Sequence, residues 1–277
     1  MKKFLTLTAI CAAAAVGLAG CGDNSKEAAG SKTAAAQPAA ATITVGATPV
    51  PHADILKFIQ PELKKQGVDM KIIEFSDYVK PNMALSDKEI DANFFQHKPY
   101  LESFAKERNL KLAVLCAVHI EPMGIYSKKF KDVKSFGEGV KVAIPNDPTN
   151  GGRALKVLAD AGFFGLKDGV GVNGTPADIV NNAKKVQIVE MEAAVLPRTL
   201  DDVDFAVINS NFAMGVGLNP TKDSLFTESK DSPYANVVAI REGDNREVIK
   251  KLGAALTTPA VRDFITKTYK GAVLPAF

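Results

Sequence analysis

The stretch VAIPNDPTNGGRALKVL, residues 142–158, predicts a strand, a turn and the start of a helix. The apolar run Val142–Pro145 is typical of a buried strand. Asp147 can cap a helix, and Pro148 suits its first position. Arg153 follows within the first two turns, where free backbone N–H groups, the helix dipole and a guanidinium could together hold a small carboxylate. On these residues alone, an ordinary turn with a surface arginine is the alternative.

The composition is that of an ordinary globular protein. The chain has 277 residues, of which 46% are hydrophobic and 23% charged, enough for one large or two medium domains. The formal net charge is +3, and acidic and basic residues are interspersed throughout the chain, so nothing indicates a nucleic-acid partner. Neither a CxxC nor an HExxH pattern occurs, and no metal or other cofactor is predicted.

The N-terminus predicts a secreted, lipid-anchored protein. A short basic start precedes the apolar run Phe4–Leu18, which is too short for a comfortable membrane span. The run ends in LAGC, which resembles a lipoprotein cleavage site with Cys21 as the lipidated residue. We therefore predict a signal peptide over residues 1–20. Acyl chains contribute roughly 0.8 kcal/mol per buried CH₂ group, so a multiply acylated cysteine is a stable anchor.

Residues 21–42 are rich in Ala, Ser, Lys and Gln and have almost no large apolar side chain, which predicts a flexible tether. After the tether, strand and helix patterns alternate, which predicts an α/β fold with mainly parallel sheets and helices on both faces. The predicted strands cover 43–48, 70–75, 110–118, 123–127, 140–145, 186–191, 205–209 and 236–241. The predicted helices cover 51–65, 78–85, 99–108, 148–161, 244–256 and 259–269, with another opening at Thr175–Asp178.

In such sheets, ligands bind where loops converge at the carboxyl ends of the strands. The loops of the first half carry aromatic residues and histidines, whereas those of the second half carry amides and Arg153. An aromatic wall opposite polar anchors suits a small zwitterion with an apolar side chain. Two alternatives stay open here: His97 and His119 could be structural histidines, and His119 with Glu121 could suggest a metal site.

Five segments together resemble a known family. They are FSDYVKPNMALSDKEIDANFFQHKPYLESF, HIEPMGIYSKK, VAIPNDPTNGGRAL, LPRTLDDVDFAVIN and SPYANVVAIRE. They resemble the NlpA-type methionine-binding lipoproteins, which are the substrate-binding components of ABC importers. The resemblance extends over residues 43–277, nearly the whole mature chain.

The resemblance implies a two-lobed periplasmic-binding-protein fold of type II, with the ligand in the cleft between the lobes. Lobe 1 would comprise 43–121 and 235–277, and lobe 2 would comprise 122–234. No catalysis is implied. The protein would capture L-methionine at the cell membrane, on its periplasmic or outer side, and deliver it to a membrane permease driven by a separate ATPase.

The resemblance also assigns roles to residues. Arg153 would pair with the ligand carboxylate, and Asn209 and Asn236 would bind the amino and carboxylate groups. Asn150 is a further polar candidate, and Gly151 and Gly152 are interpreted as room for a ligand or the opposing lobe. The wall around the thioether would consist of Tyr78, Phe95, His97, Tyr100 and His119.

Hinge motion is expected near 121–124 and 231–236, while residues 222–230 suggest no role. One alternative function is the same fold with another apolar amino acid or a methionine-containing dipeptide as ligand. A more distant alternative is a metal-assisted hydrolase that uses His97, His119 and Glu121.

Overall fold

The computed structural model describes residues 41–229 and 232–277. The predicted signal peptide 1–20, the lipidated Cys21 and nearly all of the tether 21–42 lie outside the described residues. Within the described ranges, no helix has both the length and the apolar character needed to cross a membrane.

Regular elements alternate along the described chain, as the sequence predicts. The strands are β1 (Ala41–Ala47), β2 (Val68–Glu74), β3 (Ala92–His97), β4 (Leu112–Ile120), β5 (Gly124–Tyr126), β6 (Lys141–Pro145), β7 (Gly165–Leu166), β8 (Ile179–Val180), β9 (Gln187–Met191), β10 (Phe205–Ile208), β11 (Phe226–Thr227), β12 (Ala235–Arg241) and β13 (Leu274–Pro275). The helices are α1 (Asp54–Lys65), α2 (Lys80–Ser86), α3 (Lys98–Glu107), α4 (Pro148–Asp160), α5 (Ser210–Gly215), α6 (Glu247–Leu256) and α7 (Pro259–Tyr269).

A six-stranded sheet has the order β13-β4-β12-β3-β1-β2. Strand β1 runs parallel to β2 and β3, whereas β12 lies antiparallel between β3 and β4. Strands β1 to β4 therefore share one direction, as expected for a mainly parallel sheet, but the insertion of β12 was not predicted. We call this sheet, with α1, α2, α3, α6 and α7, lobe 1.

Both faces of the six-stranded sheet are covered. Val238 and Ile240 of β12 belong to the core under α1, α6 and α7. Their neighbours Val237 and Ala239 face the other side, where they pack with Leu85 of α2 and other apolar residues. This alternation is the period of a strand with apolar residues on both faces, as in sheets sandwiched between helices.

A five-stranded sheet has the order β11-β5-β10-β6-β9. Strands β6, β9 and β10 are parallel, and β5 is antiparallel to β10 and β11. Helix α4 packs on one face, where its Leu155 and Leu158 join Phe205 in one core. We call this sheet, with α4, α5 and the β7-β8 hairpin, lobe 2.

The chain passes between the two sheets twice, which brings two crossing segments together. The first runs from β4 to β5 through 121–123, and the second lies between β11 and β12, where 228–229 and 232–234 are described. Met123 N–H donates to Glu228 Oε1 at 3.1 Å, and Glu228 N–H donates to the Met123 carbonyl at 3.0 Å. The two crossing segments are thus bonded to each other.

The predicted helix start at Asp147 is confirmed: the Asp147 side chain accepts from Asn150 N–H, and Pro148 is the first helical residue. The helix predicted to open at Thr175 is wrong. A capping box forms there, but only a single turn, Pro176–Asp178, follows it. The β-branched Ile179 and Val180 are extended, and Asn181 has a positive φ of 53°, so the chain leaves the helical conformation.

The interpretation of Gly151 and Gly152 as room for a ligand or for the opposing lobe is also wrong. A Cβ on Gly152 would lie 2.7 Å from Gly174 N and 2.8 Å from the Val172 carbonyl carbon, both in lobe 2. A Cβ on Gly151 would lie 3.0 Å from the Pro145 carbonyl oxygen. These glycines allow α4 to pack closely within its own lobe.

Gly152→Ala should therefore lower the free energy of unfolding by about 1–3 kcal/mol, the usual cost of an overpacked core. Gly215→Ala is the matched control, because a Cβ there would meet nothing within 4 Å among the described residues. Urea denaturation followed by circular dichroism measures both. Equal stability of the two variants would show that the 172–174 loop moves aside freely.

Candidate functional site

A cavity lies between the lobes and is lined by residues of both. Eight of the nine predicted ligand-binding residues line it: Tyr78, Phe95, His97, Tyr100, Asn150, Arg153, Asn209 and Asn236. The fold brings them together because β3, β6, β10 and the segments that follow these strands meet at this cleft. Gln96, Glu121, Ser210 and Asn211 complete the lining.

Arg153 is buried in this cavity, with only 3% of its side chain exposed. Its Nε donates to both carboxylate oxygens of Glu228, at 3.2 and 3.0 Å, and its Nη2 also contacts Glu228 Oε1. Nη2 donates further to the Glu121 carbonyl at 2.7 Å, and the guanidinium lies over the Tyr234 ring, 4.2 Å from its centroid. Glu228, in the stretch 222–230 to which the sequence assigned no role, is therefore the counter-ion of Arg153.

The three nitrogens of the Arg153 guanidinium differ in their pairing. Among the described residues, Nη1 has no hydrogen-bond partner, whereas Nε and Nη2 are both occupied. A guanidinium has five N–H donors in a fixed plane. With that plane held by Glu228 and the Glu121 carbonyl, the two N–H groups of Nη1 have a defined direction.

Asn150 is fully engaged within the protein. Its Nδ2 donates to the Asp147 carboxylate at 3.1 and 3.0 Å, and its Oδ1 accepts from Asn209 Nδ2 at 2.8 Å. Oδ1 also lies 3.1 Å from His97 Nε2 across the cleft. Asn150 therefore orients its neighbours and has little capacity left for a ligand.

His97 is neutral with its proton on Nε2. Its Nδ1 accepts from Tyr100 N–H at 3.1 Å, so Nε2 is the nitrogen that donates to Asn150. Burial, and secondarily the charge of Arg153, lowers the pKa of His97 to about 3. The imidazole is thus a fixed hydrogen-bond donor that connects the two lobes.

Two asparagines keep unpaired polar atoms at the cavity. Asn209 Oδ1 is buried, with no hydrogen-bond partner among the described residues. Asn236 Oδ1 is bonded to His52 Nε2 at 3.0 Å, but Nδ2 of the same amide has no partner in that part of the chain. The cavity therefore offers one free acceptor, Asn209 Oδ1, and free donors on Asn236 and Arg153. Because buried polar groups are normally paired, the buried Asn209 Oδ1 marks a candidate position for a polar ligand group.

The apolar wall consists of aromatic rings. The ring centroids of Tyr78, Phe95 and Tyr100 lie 5.9 to 6.1 Å apart. Tyr78 OH donates to Asn211 Oδ1 at 2.5 Å, a second hydrogen bond across the cleft, and Tyr100 OH donates to the Tyr78 carbonyl at 2.8 Å. These hydroxyl bonds fix the rings in place.

His119 does not line the cavity, contrary to the prediction. Strand β4 continues to Ile120, so His119 is a strand residue paired with Asn236 rather than a loop residue. Its Nε2 lies 2.7 Å from Glu121 Oε1, and His52 Nε2 lies 3.3 Å from the same oxygen. Both imidazoles position the Glu121 carboxyl, which does face the cavity.

Among the described residues, His52, His119 and Glu121 form a cluster of side chains that could hold a metal ion. The ligand-type atoms of His52, His119 and Glu121 lie within 4.8 Å of one another. His97, which the hydrolase alternative uses, is not part of this cluster, because it bonds to Asn150. Burial raises the pKa of Glu121, while His52, Arg153 and the Asn211 backbone N–H counteract the shift.

Sequence reasoning left Glu228 and Gln96 out of the candidate set, and it did not predict the helix that positions Asn211. Glu228 follows β11 and has no motif around it. Gln96 lies in a buried amide network with Asn82 and Asn93, and a single amide in a strand gives no local signal. Asn211 is the second residue of α5, a helix that the sequence analysis did not predict.

Two α/β lobes joined by two crossing segments, with a polar and aromatic cavity between them, define a substrate-binding protein of the two-lobed periplasmic class. The family model described as NlpA lipoprotein matches residues 43–277. The chain belongs to the NlpA lipoprotein family, which confirms the resemblance seen in the sequence.

Relatives and solved structures agree with this assignment. D-methionine-binding lipoprotein MetQ of Salmonella typhimurium is 42% identical over 278 residues, which cover 98% of each chain. A nutrient binding protein from Burkholderia cenocepacia bound to methionine superposes with a TM-score of 0.82 at 45% identity, over 85% of this chain and 100% of that one. An ABC transporter periplasmic substrate-binding protein from Coxiella burnetii gives a TM-score of 0.80 at 43% identity, over 84% of this chain and 100% of that one.

The buried histidines should make the protein less stable as the pH falls. The chain has three histidines. Burial lowers the pKa of His52 to about 4 and those of His97 and His119 to about 3. An unfolded histidine titrates near pH 6.5, so the unfolded state binds more protons below that pH. Their stabilising contribution is complete above pH 6.5 and is lost as the pH falls toward 4.

We expect each histidine to reduce the free energy of unfolding by on the order of 1 kcal/mol per pH unit between pH 6.5 and 5. The raised pKa of Glu121 acts in the opposite direction. His97→Gln removes one imidazole that does not bond to Glu121, so its slope should be smaller by that amount. Urea titrations at several pH values measure the slope, and identical slopes would contradict the assignment.

Proposed function

We propose that this protein captures methionine in the cleft between its lobes and delivers it to the membrane permease of an ABC importer. The family membership, and relatives whose names refer to methionine binding and ABC transport, support this function. In this proposal Cys21 carries the lipid anchor at the cell membrane, and the protein has no catalytic role.

The observation that carries the proposal is the set of unpaired polar atoms around one cavity. Arg153 Nη1 can donate two hydrogen bonds to the carboxylate of an α-amino acid. Asn209 Oδ1 can accept one from its ammonium group, and the Glu121 carboxyl, which also lines the cavity, can take a second. Asn236 Nδ2 supplies a further donor. Donors and acceptors at one cavity match the two ends of a zwitterion.

The aromatic wall suits the thioether side chain. Sulfur–aromatic contacts contribute roughly 0.3–1.5 kcal/mol each, and the sulfur prefers the ring edge. Tyr78, Phe95 and Tyr100 present such edges around one cavity. Because the contribution is modest, discrimination against other unbranched apolar side chains depends mostly on the shape of the wall.

Binding and release require the cleft to open. We propose that lobe 1 (43–121 with 235–277) and lobe 2 (122–234) move about the two crossing segments as a hinge. Hydrogen bonds across the cleft, among them Tyr78 to Asn211 and His97 to Asn150, must break on opening and re-form on closing. Closure removes water from the site and strengthens the charge pairing there.

A thermal-shift screen separates methionine from the alternatives. At 100 times its Kd a ligand stabilises the protein by about 2.7 kcal/mol, or several degrees. The twenty amino acids, both enantiomers of methionine and a methionine dipeptide form the panel. We expect a response to methionine. A response only to another apolar amino acid or only to the dipeptide would show that this compound, and not methionine, is the ligand. Stabilisation by zinc without any amino acid would favour a hydrolase.

Arg153→Ala should weaken methionine binding by at least about 2 kcal/mol, the order expected when a buried charged partner is removed. Isothermal titration calorimetry measures the loss. Arg262→Ala is the control, because Arg262 is an exposed residue of α7 that bonds to the Phe277 carbonyl, away from the cavity. Unchanged affinity in Arg153→Ala would exclude Arg153 as the carboxylate partner.

A further inference from the structure

Glu228 is a buried carboxylate that is already paired with the cation of the site. Its side chain is 9% exposed, and both of its oxygens accept from Arg153. A buried guanidinium without a partner would be strongly destabilising. Glu228 supplies this partner, so the positive charge of Arg153 is compensated within the protein.

Glu228 is also held in place from the backbone. Oε1 accepts from Met123 N–H, and Glu228 N–H donates to the Met123 carbonyl. The carboxylate cannot leave Arg153 without disturbing the bond between the two crossing segments. A ligand carboxylate therefore meets a preformed ion pair and binds at Nη1, the edge of the guanidinium that Glu228 does not use.

The charges around the cavity are unequal. Among the described residues, one guanidinium, that of Arg153, stands against three carboxyl groups, those of Glu121, Asp147 and Glu228. The neighbouring imidazoles of His52, His97 and His119 are buried and do not carry charge at neutral pH. The ammonium end of a ligand thus meets an uncompensated carboxyl group, whereas its carboxylate end meets a compensated cation.

We propose that Glu228 makes the site selective for the ammonium end of its ligand, so that α-amino acid derivatives with a neutral carboxyl group, such as amides, are also accepted. This inference rests on the proposed function, because it concerns the same cavity and the same side chain. It assigns Glu228 a role in specificity in addition to its role in positioning Arg153.

The test compares methionine, methioninamide and N-acetylmethionine by isothermal titration calorimetry on the intact lipidated chain in detergent. Methioninamide keeps the ammonium group, and N-acetylmethionine keeps only the carboxylate. We expect methioninamide to bind within about tenfold of methionine, a difference of about 1.4 kcal/mol. N-acetylmethionine should bind at least about a hundredfold more weakly, because its acyl nitrogen cannot satisfy the Glu121 carboxyl.

Glu228→Gln separates the charge of Glu228 from its structural role. The amide oxygen can still accept from Met123 N–H, but Arg153 loses its counter-ion and then requires an anionic ligand. The ratio of the methioninamide Kd to the methionine Kd should rise at least about tenfold relative to wild type. Glu190→Gln is the control, since Glu190 is exposed on β9, and its ratio should equal that of the wild type.

Two results would overturn the inference. One is a wild-type protein that binds methioninamide more than about tenfold more weakly than methionine, because the carboxylate would then be required by the guanidinium. The other is an equal loss of both ligands in Glu228→Gln, which a purely structural role would produce. The wild-type series decides the matter even if the variant does not fold. A wild type that binds methionine and none of its analogues retains the proposed function, whereas one that binds no ligand fails both.

Discussion

The ion pair between Arg153 and Glu228 connects the ligand site to the hinge. A buried guanidinium needs a carboxylate, and Glu228 supplies one from the second crossing segment. The same carboxylate accepts from Met123 in the first crossing segment, and Arg153 also donates to the Glu121 carbonyl there. The cation of the site and both connections between the lobes therefore form one bonded unit, so the orientation of Arg153 depends on how the lobes are joined.

The remaining polar groups of the site divide into those already paired and those left open. Both polar atoms of the Asn150 side chain are hydrogen-bonded within the protein, and Gln96 is bonded to Asn82 and Asn93. These side chains therefore maintain the shape of the cavity. Asn209 Oδ1, Asn236 Nδ2 and Arg153 Nη1 are open. Because leaving a buried polar group unpaired costs about 1–3 kcal/mol, the buried Asn209 Oδ1 is the atom that gains most from a ligand.

Local sequence signals predicted most of the elements and the cleft. The Asp147–Pro148 start, the apolar strands and the loops at strand ends are short-range features, and eight predicted residues do meet at one cavity.

Long-range pairing was not predictable in this way. Strand β12 lies between β3 and β4, although more than a hundred residues separate it from both in sequence. Glu228 is paired with Arg153 across 75 residues, in a segment that has no periodicity. Strand β4 ends at Ile120, two residues later than the predicted end at Val118. His119 is therefore a strand residue, and its imidazole contacts the Glu121 carboxyl.

The most direct test is a crystal structure of the protein with methionine bound, at a resolution that distinguishes the nitrogens of Arg153 by their contacts. We expect the ligand carboxylate within hydrogen-bond distance of Nη1 while Glu228 remains bonded to Nε and Nη2, and the ligand ammonium near Asn209 Oδ1 and Glu121. A ligand carboxylate bonded to Nε and Nη2 in place of Glu228 would contradict this account, because Glu228 would then give up Arg153 to the ligand.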